Sequence, residues 1–209
     1  MRIDWEEELD ERLVQRMHRG DGLAFSTLTT RYWPLIHRIC SNLLPSAAEA
    51  LETTEEIFLE MWRAPGAFAS GAPFATSLLQ HAMRRVLDRS GPPSSEGSLK
   101  AFLPRFDAEG CLQGPAYDAS ARPGMAFGSR ELRARIREAL RHLEPLDHAS
   151  FVLREVEGIA ADEVAAVLGI APESVRRRTH RATLMLAGYL GELLSVPRTA
   201  SVASDVRPG

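Results

Sequence analysis

Ala161–Leu186 reads ADEVAAVLGIAPESVRRRTHRATLML, and its spacing is that of a helix, a tight turn and a second helix. Apolar residues recur at Val164, Ala165 and Leu168, then at Ile170, Val175, Ala182 and Leu186, the one-sided pattern that a helix buries. Gly169 stands between the two helices, where a tight turn needs a residue without a Cβ. Pro172 opens the second helix at a position whose N–H would lack a partner anyway. The opposite side of that helix carries Ser174, Arg176, Arg177, Arg178, His180 and Arg181. This is the layout of a helix-turn-helix whose second helix enters a DNA major groove.

Arginine suits that task, since it pairs bidentately with guanine O6 and N7 and also grips phosphates. The spacing of Ser174, Arg177, Arg178 and Arg181 puts them on one exposed arc. Ser174 and Arg177 are expected nearest the bases, with Arg176, Arg178 and Arg181 mostly on phosphates. The alternative is a solvated helix with interhelical salt bridges. Within a DNA-reading helix one of the four arginines can still be structural, Arg178 or Arg181 pairing with Glu155 or Glu157.

The whole chain is less basic than such a helix suggests. Its 209 residues carry a net charge of −3, whereas a DNA binder acting alone draws most of its affinity from phosphate neutralisation. Basic charge is local: Pro172–Leu186 holds four arginines against one glutamate. That imbalance points to a larger partner that holds the chain on DNA. A content of 44% hydrophobic and 25% charged residues is that of a soluble globular protein, and no apolar run approaches the roughly 20 residues that span a bilayer. The acidic start MRIDWEEELDERL does not resemble a signal peptide. Cys40 and Cys111 lie far apart, and His18, His37, His81, His142 and His148 share no metal-ligand spacing. No catalytic residues, metal ligands or cofactor are expected, and a reducing cytoplasm fits.

The pattern divides into two small all-α domains, a helical bundle followed by a four-helix helix-turn-helix domain. Residues 1–89 make the first, with helices over about Asp10–Arg19, Leu23–Leu44, Ser46–Arg63 and Phe74–Arg89. Pro34 is expected to bend the second of these. Residues 90–129 hold 11 of the chain's 28 Gly and Pro residues and read as a flexible linker. Its centre, Leu99–Phe106, is apolar enough to dock. Residues 130–194 make the second domain, in which Pro145 ends one helix and Asp147 caps the next, about His148–Glu157. Residues 195–209 read as a disordered tail.

Both halves resemble bacterial RNA polymerase sigma factors of the extracytoplasmic-function (ECF) type. The likeness rests on LEPLDHASFVLREVEGIAADEVAAVLGIAPESVRRRTHRA (Leu143–Ala182), on RMHRGDGLAFSTLTTRY (Arg16–Tyr32), on TEEIFLEMWRA (Thr54–Ala64) and on an F-x-T-x-L-x-x-x-A pattern from Phe74 to Ala82. It implies a promoter-specificity subunit that binds core RNA polymerase (β′ clamp and β) and directs initiation. The first domain would hold the polymerase and read the −10 element, and the second would read the −35 element. An anti-sigma factor is an implied partner, as are duplex promoter DNA and the melted −10 strand.

The third helix carries Glu49, Glu52, Glu55, Glu56 and Glu60, with Leu51, Ile57, Phe58, Met61 and Trp62 available for the core. Such a run is a solvated face or a docking face. The resemblance implies that Glu52, Glu55, Glu56 and Glu60 meet the β′ clamp. It likewise implies that Phe68–Arg89 faces the −10 DNA, where unstacked bases need aromatic surfaces and phosphates need cations. Candidates are Phe68, Phe74, Arg84, Arg85 and Arg89, with core packing the alternative for both phenylalanines. The chain departs from the family at Ala69–Pro73, at Ser77 (commonly Trp) and at Arg84 (commonly Asn). Two other readings remain: an autonomous helix-turn-helix regulator, and a sigma-like decoy for an anti-sigma factor.

Overall fold

The computed structural model describes residues 7–68, 72–90, 105–106, 112–113 and 129–195. Its helices are α1 Glu7–His18, α2 Gly22–Leu43, α3 Ala47–Arg63, α4 Phe74–Arg89, α5 Ser129–Arg141, α6 Pro145–Phe151, α7 Ala161–Leu168 and α8 Pro172–Ser195. A 3-10 turn, Pro65–Phe68, precedes α4, and a single π-turn, Val152–Val156, extends α6. The all-α expectation therefore holds, apart from a minimal antiparallel ladder in the linker. There β1, Arg105–Phe106, pairs with β2, Leu112–Gln113. Most of the apolar linker centre, part of the Ala69–Pro73 loop and the expected tail from residue 196 lie outside the described residues.

Local chemistry fixes the helix ends. Asp21 caps α2, its carboxylate accepting the N–H groups of Leu23 at 2.9 Å and Ala24 at 3.3 Å. Arg16 binds the same carboxylate and, with those amides, holds its pKa below the usual range. Ser46 caps α3, its Oγ accepting the Glu49 N–H at 3.1 Å and donating to the Glu49 carboxylate at 2.9 Å. Gly169 ends α7 in the left-handed region at φ 67°. Helix α2 continues unbroken through Pro34.

Two expectations are corrected at α6. Pro145 does not close the preceding helix but opens α6, its natural place when the first-turn N–H is dispensable. Asp147 does not cap α6; Glu144 occupies the cap position, and the Asp147 side chain is buried elsewhere.

The first domain closes around Leu28, Tyr32, Ile36, Ile39, Ile57, Met61, Leu78 and Met83, all buried. Asp10 is buried with them, where Arg31 and the Tyr32 hydroxyl hydrogen-bond its carboxylate. In the second domain, Ala139, Leu140 and Leu143 pack on Ala182, Met185 and Leu186, so the C-terminal half of α8 serves as core for α5.

The two domains do not sit apart on a tether. The first-domain core runs without interruption into Ala149, Val152, Leu153, Ile159, Val164, Val167 and Val175 of the second. Helix α7 packs along α4, and the π-turn meets α2. Polar links also cross this seam. Gln80 Nε2 donates to the Ala166 carbonyl at 2.9 Å. An Arg141 guanidinium nitrogen donates to the Pro45 carbonyl at 2.9 Å. Arg38 grips the Glu157 carboxylate, with Nε 2.9 Å from both oxygens. His148 is also buried, hydrogen-bonded to the Asn42 backbone, and burial lowers its pKa to about 4.

The Glu157 side chain is 1% exposed, so Arg38 is its compensation for lost water. Arg38→Ala strands a buried carboxylate, whereas Glu157→Gln removes the charge and keeps an acceptor. Urea unfolding at pH 7 should show Arg38→Ala as the more damaging change, by about 1.5–3 kcal/mol. Equal losses would contradict this account of the seam.

Candidate nucleic-acid interface

Helix α8 is presented by the turn before it. Gly169 reverses the chain, Ala171 O accepts the N–H groups of Ser174 at 2.9 Å and Val175 at 3.2 Å, and Val175 is buried as the anchor. The face this leaves outward carries Arg176, Arg177 and His180, all exposed, with Ser174 half-buried beside them. Arg177 donates to Ser174 Oγ at 3.3 Å. Arg176 makes only loose solvent-exposed contacts, 3.3 Å from Glu173 and 3.7 Å from Asp162, which DNA can displace at little cost.

Arg178 and Arg181 are held differently. Arg178 donates to Asp147 Oδ1 at 2.8 Å. Arg181 donates through Nε to Oδ2 at 2.8 Å and through a terminal nitrogen to Oδ1 at 2.6 Å. Asp147 is 0% exposed, and its hydrogen bonds raise the pKa of Arg181. Two of the three arginines expected on phosphates thus share one buried acid. Both are structural where one was expected, and their partner is Asp147 instead of Glu155 or Glu157.

The other expected site residues fall into two sets. Phe68 and Phe74 are core residues: Phe68 packs against the His81 ring at 4.8 Å and Phe74 edge-on to Tyr32 at 5.4 Å. Neither presents an aromatic surface to a base, and the packing alternative prevails because each fills a gap between α4 and its neighbours. Arg84 is exposed on α4. Arg85 binds Glu60, which also meets His81, and Arg89 binds Glu56 at 2.8 Å and Thr53 at 2.6 Å. Glu56 and Glu60 therefore brace α3 against α4, Glu52 stays exposed while lying 4.0 Å from the same Arg89, and Glu55 remains on the outer side.

Two residues expected in the core, Leu51 and Trp62, lie on that outer side instead. They and Leu59 are 43%, 40% and 47% exposed. With Glu55 they follow a spacing of four, four and three, one stripe along α3 opposite its buried face. The Phe25 ring lies 5.1 Å from Trp62, and Leu23 nearby in the chain is also exposed. The spacing was visible in the sequence, but Ala50, Thr54, Ile57 and Met61 form a competing stripe that wins the interior.

Residues 28–90 match the sigma-70 region 2 family model, and residues 133–186 match the sigma-70 region 4 model. The chain belongs to the sigma-70 family, in its ECF branch. It is 28% identical to the ECF RNA polymerase sigma-E factor of Escherichia coli K12 over 182 residues, covering 85% of this chain and 92% of that protein. The RNA polymerase sigma-H factor of Pseudomonas aeruginosa is 28% identical over 193 residues, covering 90% and 97%. The fold is shared with CnrH, solved in complex with the cytosolic domain of CnrY (TM-score 0.62, 19% identity, 88% and 98% covered). It is also shared with the sigma factor RpoE of Bartonella quintana, solved with the anti-sigma factor NepR (TM-score 0.55, 16% identity, 79% and 96% covered).

This sigma factor is a specificity factor for transcription initiation and not an enzyme. Among the described residues no helix is long and apolar enough to cross a membrane. The two helices expected at promoter DNA, α4 and α8, each keep an arginine exposed, Arg84 on one and Arg176 and Arg177 on the other.

Phe74→Ala should cost about 3–5 kcal/mol of unfolding free energy, as for an aromatic removed from a core. Arg84→Ala should stay within about 0.5 kcal/mol. Chemical denaturation of the two variants checks this; a stable Phe74→Ala protein would return that ring to the list of base contacts.

Proposed function

We propose that this sigma factor docks on core polymerase through the outer stripe of α3, reads the −35 element with the first turns of α8, and contacts the −10 region with α4. Residues 1–89 act as the polymerase and −10 unit, 130–194 as the −35 unit, and 90–129 as their connection. The observation that carries this reading is the pairing of two unlike exposed faces on one chain, one apolar and acidic, the other rich in arginine. Leu51, Leu59 and Trp62 supply area that can be desolvated, while Glu52 and Glu55 supply the charge that fixes register on a basic partner. Ser174 and Arg177 read bases, Arg176 and His180 flank them, and Arg84 meets backbone phosphate. Work on polymerase and DNA puts the chain in the cytoplasm, and an anti-sigma protein is its regulatory partner.

Reading both elements requires the seam to open. Elements centred 25 base pairs apart lie about 85 Å apart along the duplex, at about 3.4 Å per pair. A compact body of about 150 residues is only about 40 Å across. The chain from Ser90 to Ser129 can reach about 130 Å when extended. The closed arrangement is therefore the resting form, and opening it exposes the α4 and α7 faces that now cover each other.

Run-off transcription with reconstituted core polymerase tests the function, with RNA from defined start sites expected only when this chain is present. Binding of the chain to DNA without any effect on initiation would favour an autonomous regulator. Glu55→Lys combined with Trp62→Ala should lower affinity for core polymerase at least ten-fold in a titration, without loss of folded protein. Arg177→Ala should cost about 1–3 kcal/mol and relax base preference at one −35 position. A uniform loss across all promoters would instead make Arg177 a phosphate contact.

A further inference from the structure

Four arginines on one turn-and-a-half of helix would ordinarily give strong, indiscriminate attraction to DNA, because each phosphate contact releases counterions whatever the sequence. In this chain two of the four are withheld. Arg178 and Arg181 converge on Asp147, which sits in the first turn of α6 and has no solvent exposure. Arg181 engages it through two nitrogens, and Arg178 through a third bond to Oδ1. A carboxylate in that position cannot regain water if its partners leave, so removing either guanidinium to a phosphate would leave buried charge behind. Arg176 and Arg177 face no such penalty, since their contacts are exposed and long.

We infer that Asp147 is a specificity-determining positioning residue, which sequesters Arg178 and Arg181 from the phosphate backbone and fixes the roll of α8 so that Ser174 and Arg177 face the bases. The inference rests on the reading of α8 as the −35 helix. It explains how an arginine-rich helix can be selective without being sticky. Base discrimination comes from short contacts at Ser174 and Arg177, whose aim is set by the α6–α8 clamp. Non-specific affinity is kept low because two cations are already satisfied within the protein. Thr179, buried beside the clamp with its hydroxyl 3.4 Å from the Ser150 carbonyl, ties the same two helices at a neighbouring turn.

The test uses the full chain and its Asp147→Asn variant in two assays. In the first, binding to a 30-base-pair duplex of random sequence is measured between 50 and 200 mM salt. Two released arginines should make the variant lose about twelve-fold more affinity than wild type over that range, at a slope of about 0.9 per added phosphate contact. In the second, holoenzyme made with each protein selects from duplexes randomised at the −35 element, and the variant should give a flatter base preference. Arg178→Gln alone, which leaves both Arg181 bonds on Asp147, should leave the salt slope unchanged, and this keeps the idea testable if Asp147→Asn folds poorly. An unchanged slope in Asp147→Asn, or a reduced slope in Arg178→Gln, overturns the inference. If wild-type holoenzyme selects no −35 sequence at all, the −35 reading itself has failed, and with it the premise of this inference.

Discussion

A carboxylate shut away from water must be met by cations or strong donors, and among the described residues three such acids, Asp10, Asp147 and Glu157, organise the fold. Asp10 is met by Arg31 and Tyr32 and joins α1 to α2. Asp147 is met by Arg178 and Arg181 and joins α6 to α8. Glu157 is met by Arg38 and joins the second domain to the first. Apolar burial supplies most of the driving force for folding, but it is non-directional. The buried acids are directional, and each selects one arrangement of two elements because any other would leave charge stranded.

The same rule separates structural arginines from available ones. Arg38, Arg178 and Arg181 answer buried acids, and Arg85 and Arg89 answer the half-buried Glu60 and Glu56. Arg84, Arg176 and Arg177 answer nothing buried, and they lie on the two helices that face promoter DNA in the proposed function. The acids of α3 divide in the same way. Glu56 and Glu60 turn inward to α4, Glu52 stays exposed 4.0 Å from Arg89, and Glu55 turns outward beside Leu51, Leu59 and Trp62. A net charge of −3 then suits a subunit whose hold on DNA is supplemented by a larger assembly.

Much of this was legible in the sequence where the signal is local. The period of apolar residues placed α4 over Phe74–Arg89 and put Val164, Val175 and Ala182 inside. Asp21 and Gly169 announced their turns because a cap and a left-handed residue are local requirements. What the sequence did not yield depends on partners distant in the chain. Nothing near Arg38 announces Glu157, 119 residues away, and the seam therefore looked like a linker joining separate bodies. Asp147 carried the signature of a helix cap, and only the return of α8 against α6 shows its side chain taken by two arginines. Phe68 and Phe74 had composition suited to either a core or a base stack, and packing against His81 and Tyr32 decided between them.

The most direct measurement is the distance between probes on the outer faces of α3 and α8, by pulsed electron–electron spectroscopy or single-molecule energy transfer. It should be made on the free chain and again on the chain assembled with core polymerase and promoter. The expected result is a single short distance within one compact body of about 40 Å when free, and a distance well beyond that in the assembly. A free chain already distributed over long distances, or an active promoter complex that keeps the short one, would contradict the account.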